Sequence, residues 1–145
     1  MSISWDRGRT WSPGTFTWIP QANARFFVRR LKSGRLLLVK HGPMKYDWRV
    51  CGREQLMAFL SEDDGKTWKG GLMLDGRKNV SYPDGDQAAD GTIYVIHDRE
   101  RIAAREILLS RFTEEDVLAR KPVSAVAKLK MLVSKGCSPE SESGN

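Results

Sequence analysis

Short apolar runs alternate with turn residues along most of the chain, and this pattern predicts β-structure. Residues 24–31 and 35–41 are two such runs, and the Lys-Ser-Gly sequence ending at Gly34 between them is typical of a β-hairpin turn. Further strands are predicted at residues 54–61, 71–75, 92–98 and 105–112. Strands this short and this closely spaced indicate an all-β sandwich, barrel or propeller.

Three segments depart from the strand pattern. The polar sequence SYPDGD is interpreted as a tight turn that holds Tyr82, with Asp84 and Asp86 as turn formers. Thr113 precedes three acidic residues, so a helix is predicted to start there and run to about residue 119. Residues 124–135 have apolar positions at helical spacing, which predicts a helix in the tail.

Composition and charge narrow the partner class. The chain has 145 residues, which suits one ordinary domain, and a formal net charge of +6 favours an anionic partner. Nucleic acid is one candidate, but the basic residues are scattered and form no run, and an acidic small molecule or acidic sugar fits as well. No apolar stretch is long enough for a membrane span, and no signal peptide is recognisable. Cys51, Cys137, His41 and His97 lack the spacing of a metal site, and no cofactor is expected.

An eight-residue pattern, Ser-x-Asp-x-Gly-x-Thr-Trp, occurs twice. It reads SWDRGRTW at residues 4–11 and SEDDGKTW at residues 61–68. The Asp side chain is expected to accept backbone N–H bonds across the turn, the Gly to adopt a positive φ, and the Trp to fold over the turn. The residues of the pattern with these structural roles are Ser4, Asp6, Gly8, Trp11, Ser61, Asp63, Gly65 and Trp68.

The two octamers resemble the Asp-box, or bacterial neuraminidase, repeat of sialidase-like β-propellers. The resemblance implies the C-terminal part of a six-bladed propeller in residues 1–116, with two to three blades at about 1–19, 24–75 and 80–112. The chain starts abruptly inside a motif, and we expect further residues upstream. The tail, 117–145, is expected to be helical and then disordered over its last nine residues. Open blade edges are expected to favour self-association.

The resemblance also implies a chemistry, the release of a terminal acidic sugar such as sialic acid by an exo-acting glycoside hydrolase. Sialidases use a tyrosine nucleophile, because a neutral phenol is not repelled by the substrate carboxylate. Tyr82 matches the position of that tyrosine, and Arg25 and Arg53 match two arginines that bind the carboxylate. Asp84, Asp98 and Arg101 are candidate substrate contacts.

Several alternatives stay open. Tyr82 can instead pack within a blade, Arg53 can pair with Glu54, and Asp98 with Arg101 can form a structural ion pair. Trp18 is expected in the core, while Tyr46 and Trp48 are candidates for stacking on a sugar. Glu54 and Glu106 are weak candidates for the glutamate that activates the tyrosine. The sequence offers no candidate for the family's first arginine or for its acid/base aspartate. The rival function is a non-catalytic Asp-box propeller that binds carbohydrate or protein; the fragment alone is expected to be inactive.

Overall fold

A computed structural model of the protein describes residues 1–45 and 52–137, and their regular structure is almost entirely β. Eight strands form two four-stranded sheets with the orders β1-β2-β3-β4 and β5-β6-β7-β8, and every neighbouring pair is antiparallel. The elements are β1 Phe27–Arg30, β2 Leu36–His41, β3 Glu54–Ser61, β4 Lys69–Lys78, β5 Val80–Gln87, β6 Ile93–Arg99, β7 Glu106–Phe112, α1 Glu114–Ala119 and β8 Lys128–Lys135. The all-β prediction is confirmed, and the two sheets fit a partial, propeller-like fold.

The hydrophobic core lies between the two sheets. The first sheet, β1–β4, contributes Leu37, Leu56 and Leu74, and the second sheet, β5–β8, contributes Val95 and Phe112, all of them fully buried. Strand β2 is buried along almost its whole length. This explains its unbroken apolar run, because a strand covered on both faces has no polar face to alternate with.

Both octamers fold into the same hydrogen-bonded turn. Asp6 accepts from the backbone N–H and the hydroxyl of Thr10 at 2.9 and 2.6 Å, and Asp63 accepts from those of Thr67 at 2.8 and 2.5 Å. These hydrogen bonds lower the pKa of each carboxyl from 3.8 to about 2. Gly8 and Gly65 have φ values of +86° and +85°. The turn chemistry predicted for the octamers is therefore confirmed.

The segment around Tyr82 is a strand, and its interpretation as a tight turn is wrong. It forms β5, which pairs with β6 and carries a register shift between Ser81 and Asp84. At this bulge Tyr82 has a φ of +52°. A Cβ at Gly85 would lie 2.3 Å from the carbonyl oxygen of Tyr94 on β6. The Pro, Gly and Asp residues therefore shape a bulged strand that runs very close to its neighbour.

The tail helix predicted at 124–135 is also wrong, because residues Lys128–Lys135 form β8 on the edge of β7. Lys128 and Lys130 are exposed, whereas Leu129 is partly buried against the core. This alternation has the period of a strand, and pairing with β7 supplies backbone hydrogen bonds that a marginal helix cannot match. Of the nine residues predicted to be disordered, all but Cys137 lie outside the described residues.

The helix predicted to follow Thr113 is confirmed as α1. Thr113 is its N-cap, with a reciprocal capping box formed with Asp116. The helix packs against β4, where a Cβ at Gly70 would lie 2.4 Å from the carbonyl oxygen of Val117. Helices in the described part of the chain all fall short of the length and apolarity needed to cross a membrane.

Candidate functional site

Tyr82 directly follows Ser81, one of the residues that line a groove between the start of β5 and the turn that follows β6. Its side chain is 46% exposed. The groove has a volume of about 360 Å³, within the usual range for small-molecule sites. We call it the Tyr82 groove; its lining residues are Arg53, Asn79, Ser81, Glu100, Arg101, Ile102 and Ala103.

Two arginines that line the groove also face the Tyr82 ring. The guanidinium carbon of Arg101 lies 3.9 Å from the ring centroid, and that of Arg53 lies 6.0 Å from it. Both distances are within the range of cation–π attraction, and the closer contact is a direct stack. The fold therefore places Arg53, Arg101 and Tyr82 together, and all three are candidate site residues from the sequence; Arg101 has the closer guanidinium.

Arg101 is fixed by the strand residues beneath it. Its Nε donates to Asp98 at 2.7 Å, and its Nη2 donates to the Ser81 hydroxyl at 3.0 Å. The hydrogen bond to Asp98 raises the pKa of Arg101 above its already high ordinary value, with a smaller contribution from the Asp98 charge. The predicted ion pair between Asp98 and Arg101 is thus confirmed, and it belongs to the wall of the Tyr82 groove.

Arg53 is positioned mainly by its backbone. Its carbonyl accepts from the Val80 N–H at 3.0 Å, and its Nη2 donates weakly to the Asn23 carbonyl at 3.4 Å. Within residues 1–45 and 52–137, Arg53 forms no ion pair, so the alternative pairing with Glu54 is not observed. Its positive charge is consequently available to a ligand in the groove.

Arg25 does not line the Tyr82 groove and instead forms an ion pair with a residue of β5. It pairs with Asp84 at 3.5 Å, and Arg29 pairs with Asp86 at 2.6 Å. Both acids lie on the exposed face of β5 and link this strand to the β1 region of the first sheet. Their interpretation as turn formers is therefore wrong, and Arg25 would have to exchange Asp84 for a substrate carboxylate.

His41 supports the start of β5 from below. Its Nε2 donates to the Val80 carbonyl at 2.8 Å, which places the donor hydrogen on that nitrogen. Burial lowers the pKa of His41 and so favours the neutral ring, while the hydrogen bond to Val80 acts in the opposite direction. The buried histidine thereby holds the backbone two residues before Tyr82.

Sequence reasoning missed a buried polar network between the sheets. Asp75 on β4 accepts from His97 Nε2 at 3.2 Å and from Arg77 Nη2 at 2.7 Å. Burial raises the pKa of Asp75, but the hydrogen bonds from His97 and Arg77 outweigh this and hold it well below its usual range. Glu106 pairs with Arg77 and with Arg99, at 3.4 and 3.0 Å, instead of with Tyr82.

Of the three aromatic residues considered for sugar stacking or the core, the structure describes Trp18. Trp18 is 58% exposed and lines a different groove with Phe16 and Pro20, so its expected place in the core is wrong. Tyr46 and Trp48 lie outside the described residues. In the described ranges, no group of three or more His, Cys, Asp or Glu side chains is arranged to hold a metal ion.

Comparisons with known proteins give one match. The model of a family described as the BNR repeat-like domain matches residues 1–95, a range that includes both octamers and Tyr82. No curated protein and no solved structure matches the chain.

Proposed function

The chain belongs to the BNR repeat-like domain family, and from this premise we propose that the Tyr82 groove binds the carboxylate of a terminal acidic sugar, most simply sialic acid. We further propose that Tyr82 is the nucleophile in hydrolytic release of that sugar. The protein would then act as part of a sialidase-like exo-glycoside hydrolase.

One observation carries the proposal, namely that two guanidinium groups flank a half-exposed tyrosine at one groove. Arg53 and Arg101 both line the groove and both face the ring, at 6.0 and 3.9 Å. Guanidinium groups bind carboxylates through planar, paired hydrogen bonds. An acidic sugar held by these arginines would place its ring against the phenol of Tyr82.

The chemistry suits a tyrosine. The phenolic oxygen would attack the anomeric carbon while the bond from that carbon to the leaving oxygen breaks. A base takes the phenol proton, and a general acid protonates the leaving oxygen. Water then attacks the same carbon, the bond to Tyr82 breaks, and the phenol recovers its proton. The flanking guanidinium groups would stabilise the anionic phenol in both steps.

The direct test is turnover of a fluorogenic aryl sialoside by the intact protein and by its Tyr82→Phe variant. Loss of the hydroxyl should reduce kcat by about 1,000-fold or more, because the oxygen that would form the covalent intermediate is removed. Binding of free sialic acid should persist, since the arginines remain. Tyr94→Phe is the matched control, because Tyr94 lies on β6 opposite Asp86, whereas Arg53 and Arg101 flank Tyr82, and it should retain turnover.

The carboxylate-binding role is tested separately at Arg53. Arg53→Gln should weaken sialic acid binding about 10- to 100-fold, the usual effect of losing a hydrogen bond between charged groups. Arg29→Gln is the control, because Arg29 pairs with Asp86 and does not line the groove. Equal affinity in the two variants would contradict the proposed binding mode.

The second candidate is a non-catalytic propeller that binds an anionic glycan. It is favoured by the Tyr82 hydroxyl, which has no hydrogen-bond partner among the described residues, and by an Arg–aromatic stack that is itself a binding feature. Sialic acid binding that depends on Arg53, without any turnover by the unmodified protein, would establish this function instead.

A further inference from the structure

The turn after β6 forms a closed set of hydrogen bonds beneath Tyr82. Ser81 and Asp98 are direct partners across β5 and β6, and the Ser81 hydroxyl donates to Asp98 at 2.7 Å. Arg101 donates to both, at 2.7 Å to Asp98 and at 3.0 Å to Ser81. Ser81, Asp98 and Arg101 thus form a three-membered cycle, which we call the Ser81 triad.

The triad leaves little freedom to the Arg101 guanidinium. Ser81 is buried, and the Asp98 side chain is only 16% exposed, whereas that of Arg101 is 48% exposed. The cation is therefore anchored at its buried side and accessible from the groove. An arginine held in this way loses less conformational entropy when it binds an anion than a free surface arginine does.

Tyr82 needs such support because its own backbone is unusual. Tyr82 sits at a bulge with a φ of +52°, and it has no partner residue on β6 in the register of the two strands. The guanidinium stacked 3.9 Å from its ring centroid is the closest charged contact of the phenol among the described residues. The orientation of the ring is consequently coupled to the position of Arg101.

We propose that Asp98, assisted by Ser81, is a positioning residue that fixes Arg101 against Tyr82 and so aligns both groups for an anionic substrate. The inference rests on the proposed function for its kinetic consequence, but the alignment itself is independent of turnover. It assigns to Asp98 a role that acts through Arg101, distinct from the direct substrate contact that the sequence suggested.

The alignment can be measured without any substrate. The chain contains three tyrosines, Tyr46, Tyr82 and Tyr94, so ring-¹³C-labelled protein gives few tyrosine signals, and Tyr82→Phe identifies the signal of Tyr82. Asp98→Asn should shift or broaden the Tyr82 signal and leave that of Tyr94 unchanged. Asp86→Asn is the matched control. It removes a carboxylate from the same sheet, but that carboxylate pairs with Arg29 and not with Arg101.

Kinetics then separate positioning from general stability. Asp98→Asn should lower kcat about 10- to 100-fold, as expected for a misaligned reacting group, with a smaller change in KM. Arg101→Lys, which keeps the charge but lacks the planar fork, should reproduce the loss. Asp86→Asn should keep kcat within twofold.

The two proposals fail separately. An unchanged Tyr82 signal in Asp98→Asn overturns the positioning role, whatever the turnover. A shifted signal with full turnover in Tyr82→Phe overturns the proposed nucleophile and leaves the alignment standing. If Tyr82→Phe abolishes turnover while Asp98→Asn retains full kcat, the nucleophile stands and the positioning role is wrong.

Discussion

The two sheets have the same strand order but connect their third and fourth strands differently. In the first sheet the connection between β3 and β4 is an Asp box, where Asp63 accepts from Thr67 within one tight turn. In the second sheet the connection between β7 and β8 contains α1, and the buried Asp116 accepts from Thr113, Val123 and Ser124. Each connection is thus organised by one carboxylate, Asp63 in the first sheet and Asp116 in the second.

Such a carboxylate can be recognised in a sequence when its hydrogen-bond partners lie close to it along the chain. The partners of Asp63 lie within four residues on either side, so the motif is short and repeats as an octamer. The partners of Asp116 reach as far as Ser124, eight residues away, and are joined by a loop without a motif. Both side chains satisfy backbone N–H groups that a turn would otherwise leave without a partner.

The Asp116 connection should be the more sensitive of the two. Asp116→Ala should lower the free energy of unfolding by about 4 kcal/mol, because several buried donors lose a charged acceptor together. Urea unfolding followed by circular dichroism measures this. Glu115→Ala removes the exposed neighbouring acid and should change stability by less than about 0.5 kcal/mol. Equal losses in the two variants would contradict the role of Asp116.

The packing of α1 on the first sheet gives the next largest effect. Gly70→Ala should cost about 3 kcal/mol, because the added methyl group would overlap the Val117 carbonyl and displace the helix. Gly34→Ala separates this from backbone strain, since Gly34 also has a positive φ but no atom within 4 Å of its Cβ position. The control should cost only about 1 kcal/mol. A similar loss at both glycines would show that α1 is not closely docked.

The smallest of the three expected effects is the loss of stability that acid causes at the Asp box. The pKa of Asp63 falls from 3.8 to about 2 on folding, so its contribution is fully present above pH 4 and is lost as the pH falls towards 2. Asp63→Asn should therefore flatten the decline in stability between these pH values. Asp64→Asn changes the carboxylate at the next, variable position of the same octamer, which pairs with Arg30, and should keep the slope of the unmodified protein.

The same reasoning explains which parts of the fold the sequence could predict. Strand β3 was expected at residues 54–61 and is observed there, because its apolar residues and the following octamer define both ends. The sequence of β8 predicts a helix, because only the open edge of β7 decides between the two periods. The polar sequence of β5 predicts a turn, since its pairing with β6 is not visible in its composition.

For the site, local signals were informative and distant ones were not. The contact of Asp98 with Arg101 spans three residues and could be predicted. The stack of Arg101 on Tyr82 depends on the bulge in β5, and the contact of Asp75 with His97 joins the two sheets. Such contacts between distant segments follow from tertiary packing, and their residues form no motif with a fixed spacing in the sequence.

Covalent trapping on Tyr82 tests its role as a nucleophile directly. A fluorinated sialosyl fluoride, which slows release of the sugar from the enzyme, is incubated with the protein, and the digested peptides are analysed by mass spectrometry. If Tyr82 is the nucleophile, a glycosyl adduct forms on the peptide containing Tyr82, is absent in Tyr82→Phe and is present in Tyr94→Phe. Binding of sialic acid without an adduct on Tyr82 would contradict a nucleophilic tyrosine and identify the groove as a binding site alone.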